Sequence, residues 1–364
     1  MRLILNFLHC MARPLAPRTY TCVFVATLSA LLLLVGLFNL CVNPYGQYGR
    51  RGLPPIVQDT RTQKTDLFND LSAPADGLIL GSSRSMKIET SYLNERTSLQ
   101  FFNYGVNHGR PEDYVAILKM YHAQTGRLPK AVVMGVDIAS LNDIVPADAR
   151  ISAEPRLFRH IQRDIPWHEE FERYSQLLSL HQTKASFKSV ARFVKRKSPE
   201  FEGTAKEEFF GADGVIHYAR RSMEMERGDY DFEAALDFNQ REFRALFSNF
   251  RSLSPTRLQF LRDAVKLCTD NGCRVYLFTT VHHPRLREQL VAKTKFESRE
   301  SEAIEWLQKL SQETGARFLD LGRIEAFNGD PSLFVDGIHP LEPNTRKMAD
   351  CLFRLTQEHV YALQ

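Results

Sequence analysis

Two short segments at opposite ends of the chain hold residue types suited to acyl transfer. The first is Gly81-Ser82-Ser83-Arg84-Ser85, which follows the apolar run Gly77–Leu80. A serine on a tight turn between a strand and a helix exposes its hydroxyl beside backbone N–H groups that stabilise developing negative charge. Serine is also a common helix N-cap with no further role, so this segment alone separates neither Ser83 from Ser82 nor a nucleophile from a cap. The second is Phe334-Val335-Asp336-Gly337-Ile338-His339-Pro340, which sets Asp336 and His339 three residues apart in a turn-forming context. That spacing lets one loop present an imidazole to a nucleophile while the carboxylate orients Nδ1–H and stabilises the imidazolium. It suits equally an Asx-type turn carrying a surface histidine.

The elements that would position these segments read as a parallel α/β sheet. Short β-branched or aromatic runs at Gly77–Leu80, 99–104, Ala131–Val136, Arg274–Thr279 and 317–321 alternate with helix-like periodicity. Four of the five lead into polar loops, and in open parallel sheets ligands bind beyond the carboxyl ends of the strands, so the loops are expected to converge on one site. The third loop brings Asp137 and Asn142, and the fourth brings His282 and His283. Adjacent side chains diverge and paired helical metal ligands stand four apart, so His282 and His283 are read as loop residues or substrate contacts and not as metal ligands. Arg84 has the fork geometry that holds a carboxylate or phosphate. Between the third and fourth strands, residues 142–255 have weak strand signals and helical stretches at 167–182 and 230–250, and are expected to be a mostly helical insertion; the helix at 256–270 belongs to the core. Within the insertion, the basic stretch 184–197 is either a solvated amphipathic face or a surface for an anionic polymer or lipid headgroups.

Residues 20–42 are uncharged and apolar, long enough at about 1.5 Å per residue to cross a hydrocarbon core of roughly 30 Å. A cleaved signal peptide has a shorter apolar region and a small-residue cleavage site, which 40–44 (Leu-Cys-Val-Asn-Pro) does not supply. The expected organisation is a cytoplasmic tail at 1–19, a transmembrane anchor at 20–42, a Gly/Pro/Tyr-rich linker at 43–55 and a folded domain at 56–364 on the far, periplasmic or extracytoplasmic side of the inner membrane. Arginines at 2, 13 and 18 against 50 and 51 give only slight support to that orientation. The 364 residues carry 47 basic and 43 acidic side chains, a near-balance that gives no case for nucleic acid. Cys268 and Cys273 flank a helix-to-strand turn and are read as unpaired thiols in preference to a bridge.

Taken together, Gly81-Ser82-Ser83 and Asp336-Gly337-Ile338-His339, in this order on this sheet, resemble the first and last blocks of the SGNH (GDSL-type) hydrolase family, over roughly residues 75–140 and 270–355. The resemblance implies a three-layer, flavodoxin-like parallel sheet. It implies Ser83 as nucleophile with Ser82 as alternative, His339 as general base and Asp336 as its orienter, with no metal and no cofactor. It also implies an oxyanion hole of the Ser83 N–H and a glycine N–H from the second block, where both Gly105 and Gly109 fit, with Asn107 as a further donor. The family's third-block asparagine is replaced by Asp137. An ionised aspartate accepts and does not donate, so another group such as Asn107 or Asn142 would have to serve. An N-terminal span with a Gly-Ser-Ser-Arg block is similar to the branch containing alginate-type polysaccharide O-acetyltransfer proteins and the teichoic-acid D-alanyl transfer protein. That similarity implies an acyl-Ser83 intermediate, an acylated cell-surface glycan as substrate and a membrane acyltransferase as partner. Asp137 and the large insertion motivate the alternative of a non-catalytic scaffold that binds polysaccharide or docks such an acyltransferase.

Overall fold

The computed structural model describes residues 17–48, 53, 56–144, 148–196, 200–201 and 208–353. They fall into two compact units, one drawn from residues 1–56 and 170–199 and the other from 57–169 and 200–364.

The larger unit is built on five parallel strands, β1 (Gly77–Leu80), β2 (Phe101–Asn103), β3 (Ala131–Val136), β4 (Arg274–Thr279) and β5 (Arg317–Leu319), in the spatial order β2-β1-β3-β4-β5. Gly77 stands opposite both Phe101 and Ala131, and Ala131 opposite Arg274. β1 and β3 are buried along their whole length, the pattern of central strands covered on both faces. Alternation then divides their side chains. Leu78, Leu80, Val132, Met134 and Leu277 pack with helices Pro111–Thr125, Pro255–Thr269 and Phe296–Thr314, whereas Ile79, Val133 and Phe278 pack with Thr90–Thr97 and Glu342–Phe353. Helices thus cover both faces, and the expected α/β architecture with a parallel sheet is present.

Two strands are shorter than their sequence patterns, and side chains take backbone groups just beyond both. Gly105 N–H donates to Asn103 Oδ1 at the end of β2, and Leu321 N–H donates to Thr279 Oγ1 beyond β5. The segment after β1 departs more. A helix does not begin at Ser83; residues 83–87 form successive turns, and the next helix is Thr90–Thr97. Asn103 Nδ2 takes the carbonyls of Ser85 (2.9 Å) and Ile88 (3.0 Å), which a continuous helix would have used itself. A helix N-terminus at the Ser83 turn is therefore absent.

The insertion is neither one body nor purely helical. Residues 170–199 belong to the smaller unit, and the remainder to the larger. The larger unit keeps helices Ala219–Arg227 and Phe232–Asn249, an antiparallel hairpin of Glu208–Phe210 with Ile216–Tyr218, and a two-residue parallel pairing of Glu200–Phe201 with Val57–Gln58. The hairpin is tied to the sheet through Asn103 N–H, which donates to Asp213 O, and through Lys64, whose buried Nζ donates to the carbonyls of Asn103 and Gly214. Burial holds this lysine well below its ordinary pKa, against the opposing pull of Asp213.

In the smaller unit, helix Pro17–Val42 is long and apolar enough to cross a membrane. Helix Leu180–Val194 packs near its C-terminal end, where Asn39 Nδ2 donates to Leu177 O (2.7 Å) and Thr183 Oγ1 (2.9 Å). The tail expected at 1–19 lies outside the described residues except for 17–19, and the linker at 43–55 except for 43–48 and 53. Cys268 and Cys273 are free thiols.

Candidate active site

Ser83, His339 and Asp336 form a continuous hydrogen-bonded chain beyond the carboxyl ends of the strands. Ser83 Oγ lies 2.8 Å from His339 Nε2, and His339 Nδ1 lies 2.8 Å from Asp336 Oδ2. Burial acts to raise the Asp336 pKa, but His339 and the N–H groups of Ile338 and His339 outweigh it and hold the carboxyl below its ordinary range. Asp336 is therefore acceptor-only. Nδ1 of His339 must carry a hydrogen, and in the neutral imidazole Nε2 is then the acceptor to which the Ser83 hydroxyl donates. Asp336 serves a turn and an imidazole at once, with different oxygens of one carboxylate. Oδ1 closes the turn by accepting from Ile338 N–H (2.8 Å) and His339 N–H (3.0 Å), while Oδ2 faces the imidazole.

The geometry also separates the two serines. Ser83 is half-buried with its hydroxyl on the histidine, whereas Ser82 is buried and its Oγ accepts from Arg84 N–H. Gly81 makes the turn: its φ of +156° suits glycine, and a Cβ there would lie 2.2 Å from Ser85 Oγ.

Two residues that sequence reasoning passed over, Asn239 and Tyr230, and one that it named, His283, hold the Asp336–His339 loop. Asn239, on the insertion helix Phe232–Asn249, accepts from Gly337 N–H at 2.8 Å, and His283 N–H donates to Gly337 O at 2.9 Å. Tyr230 OH donates to Val335 O at 2.6 Å, and Val335 N–H donates to His339 O at 2.8 Å. Nothing in the sequence around Asn239 marks it, since its partner is 98 residues away. The His283 side chain accepts from Arg285 N–H as the cap of helix Pro284–Lys293 and packs against Phe232 and Phe334. Its placement is that of a loop support.

The oxyanion side is arranged differently. Ser83 N–H donates to no group among the described residues. Gly105 N–H, in contrast, is taken by Asn103 Oδ1, and Gly109 N–H by Val106 O (2.9 Å). Gly109 instead serves close packing: a Cβ on it would lie 2.2 Å from Gly81 O, so the second loop rests on the backbone of the first. Asn107 is half-buried, its N–H donating to Thr60 Oγ1 and its carbonyl accepting from the buried Arg61, which also pairs with Asp113. The Asn142 side chain is spent on its own turn, with Nδ2 donating to Ala139 O and Oδ1 accepting from Ile144 N–H.

Asp137 sits beside this region and is committed within the protein. It accepts from Thr280 Oγ1 at 2.7 Å and lies 3.8 Å from Arg84 Nε. Arg84, read as a candidate substrate contact, is buried. Its Nη1 reaches Thr280 Oγ1 (2.9 Å) and His282 Nε2 (3.2 Å), and its guanidinium lies over the Phe243 ring. Because arginine only donates, His282 Nε2 must accept, which puts the histidine's hydrogen on Nδ1. Burial, then the nearby charges of Arg84 and Arg287, hold the His282 pKa well below 6.5, so the ring is neutral. Arg84 Nη2 and His282 Nδ1 have no hydrogen-bond partner among the described residues. Thr280, which joins Asp137 to Arg84, carries no sequence signal of its own.

Among curated proteins none matches this chain. Residues 58–354 match the family described as "Protein of unknown function (DUF1574)", a span that takes in the whole sheet, Ser83 and the Asp336–His339 loop. The chain belongs to that family.

Proposed function

We propose that this protein is a membrane-anchored serine esterase or O-acyltransferase of the SGNH type, acting on acylated cell-envelope carbohydrate through an acyl-Ser83 intermediate. The Ser83–His339–Asp336 relay, with both links at 2.8 Å, carries this reading. The strand order supports it, being the flavodoxin-like doubly wound order with the site at the strand ends. In the reaction, Ser83 Oγ attacks the acyl carbonyl as its proton passes to His339 Nε2, and the tetrahedral oxyanion meets Ser83 N–H. The C–O bond to the leaving alcohol then breaks, and that alcohol takes the proton from His339. A second hydroxyl, of a sugar or of water, is deprotonated by His339, attacks the acyl-Ser83 ester and frees the serine. Asp336 stays ionised throughout and stabilises the imidazolium.

The test uses the full chain in detergent. It is expected to be labelled by a serine-directed fluorophosphonate and to release product from an aryl acetate, with both lost in Ser83→Ala. Folded wild-type protein that does neither would sink the enzymatic reading.

One observation favours a second reading, a scaffold that binds glycan or docks an acyltransferase without catalysis. The glycine N–H groups are engaged internally and Asp137 is committed to Thr280 and Arg84, so of the three expected backbone donors, Ser83, Gly105 and Gly109, Ser83 alone lacks a partner among the described residues. Glycan binding that survives Ser83→Ala, with an unchanged phenotype in the cell, is the outcome this reading requires.

A further inference from the structure

We infer that helix Leu180–Val194 lies in the membrane interface beside the end of the span, with an apolar stripe in the acyl boundary and a basic stripe on anionic lipid headgroups. This rests on reading Pro17–Val42 as a membrane span.

The helix is inside out for one surrounded by water. Its buried residues are Gln182, Ala185, Ser186 and Ser189, small or polar side chains that let it approach its neighbours closely. Its exposed residues include Leu180, Phe187 and Val194, at 69%, 64% and 73% exposure, seven apart and hence on one line of the helix. Lys184, Lys188 and Arg192 stand four apart and form a second line next to it. A contiguous apolar line on a solvated helix is unfavourable, and flanked by cations it has the make-up of a helix lying in the plane of a membrane surface.

The contacts of the helix fix its level against the span. A hydrocarbon core of roughly 30 Å takes about 20 residues, so a span entered at Tyr20 ends near Asn39. The contacts fall at that end: Phe187 packs against Phe38 with ring centroids 5.0 Å apart and planes tilted by 43°, Leu178 Cδ2 lies 3.5 Å from where a Cβ on Gly36 would stand, and Asn39 bonds Leu177 O and Thr183. Leu178 and Phe187 are thereby held at acyl-boundary depth. Just beyond are Tyr45, hydrogen-bonded to His181, and Tyr48, hydrogen-bonded to Arg173 O, at the level where tyrosines gather in membrane proteins.

Depth is measurable by fluorescence quenching with acyl-brominated phospholipid, using full-length protein in vesicles. In a Trp167→Phe/Trp306→Phe background, Phe24→Trp reports the span, Phe187→Trp the proposed stripe, and Val194→Trp, at a position too exposed for substitution to disturb packing, provides a second reporter. Quenching of at least twofold is expected for all three, with Val194→Trp quenched more in anionic than in zwitterionic vesicles. If Phe24→Trp is quenched while Phe187→Trp and Val194→Trp are not, the span stands and the stripe faces water or a protein partner, which overturns the proposal. An unquenched Phe24→Trp overturns the span reading and this one with it. Equal quenching of Val194→Trp in both lipids removes the headgroup role of the basic stripe.

Discussion

The two sides of the Ser83 hydroxyl are built to different standards. On the base side, each link of the Asp336–His339 loop is held by another element: Asn239 and His283 grip Gly337, Tyr230 grips Val335, and both oxygens of Asp336 are used. On the oxyanion side, Gly105, Gly109 and Asn142 turn their donors to their own loops, and Asp137 spends its acceptors on Thr280 and Arg84. Fixing a base requires only that one imidazole be oriented. Stabilising an oxyanion requires donors kept free of internal partners. On the proposed function, the comparison predicts a well-oriented general base and few oxyanion donors.

Asp336→Asn attacks the strong side. An amide at this position no longer fixes the Nδ1–H tautomer, and aryl-acetate turnover is expected to fall by about 10⁴-fold with the fold intact. A fall of less than tenfold would mean that Asp336 only closes its turn. Asp137→Asn probes the weak side. The amide retains an acceptor for Thr280 and gains donors, so turnover is expected to rise, by up to about 10²-fold, the typical value of one oxyanion donor. Stability should drop by roughly 1–3 kcal/mol as the buried Arg84 loses its charged partner. A matched loss of turnover without loss of thermal stability would make Asp137 an acceptor the reaction needs.

The smallest effect is on pH. Because the folded His282 pKa lies well below 6.5, the unfolded chain binds a proton that the folded one refuses once pH falls below that value. Unfolding free energy is therefore expected to decline below pH ~6.5 by up to about 1.4 kcal/mol per unit for this group. His283, also lowered, by burial and then Arg285, adds to the slope. Asp336 has its own window: its stabilisation is present above the ordinary carboxyl pKa near 3.8 and is lost on further acidification. Urea titrations of wild type and His282→Phe between pH 5 and 8 would separate these contributions, and identical slopes would rule out His282 as the source.

Much of the sheet was legible because its signal is local. The runs at Gly77–Leu80 and Ala131–Val136 are buried on both faces and Arg274–Thr279 is mostly buried, and the expected and observed bounds of all three coincide. The spacing of Asp336 and His339 was likewise enough to propose their pairing. What escaped was set by partners far along the chain. Asn103 stops a helix 15 residues earlier by taking the Ile88 carbonyl, Asn239 braces a loop 98 residues later, and Thr280 and Arg84 meet across 196 residues. An asparagine or threonine in one window has no pattern that declares such a partner. The division of the insertion escaped for the same reason: contacts alone assign 170–199 to one unit and the rest of it to the other.

The Ser83–His339 contact closes over 256 residues, and the histidine arrives on the loop after the last strand of the sheet. Synthesis runs from the N-terminus, so a nascent chain holds its serine long before its base. Until residue 339 has been added, Ser83 lacks the imidazole that its hydroxyl meets in the folded protein. On the proposed function, the order of the chain works as a timer: a growing chain that has not yet made residues 336–339 holds the serine without its base.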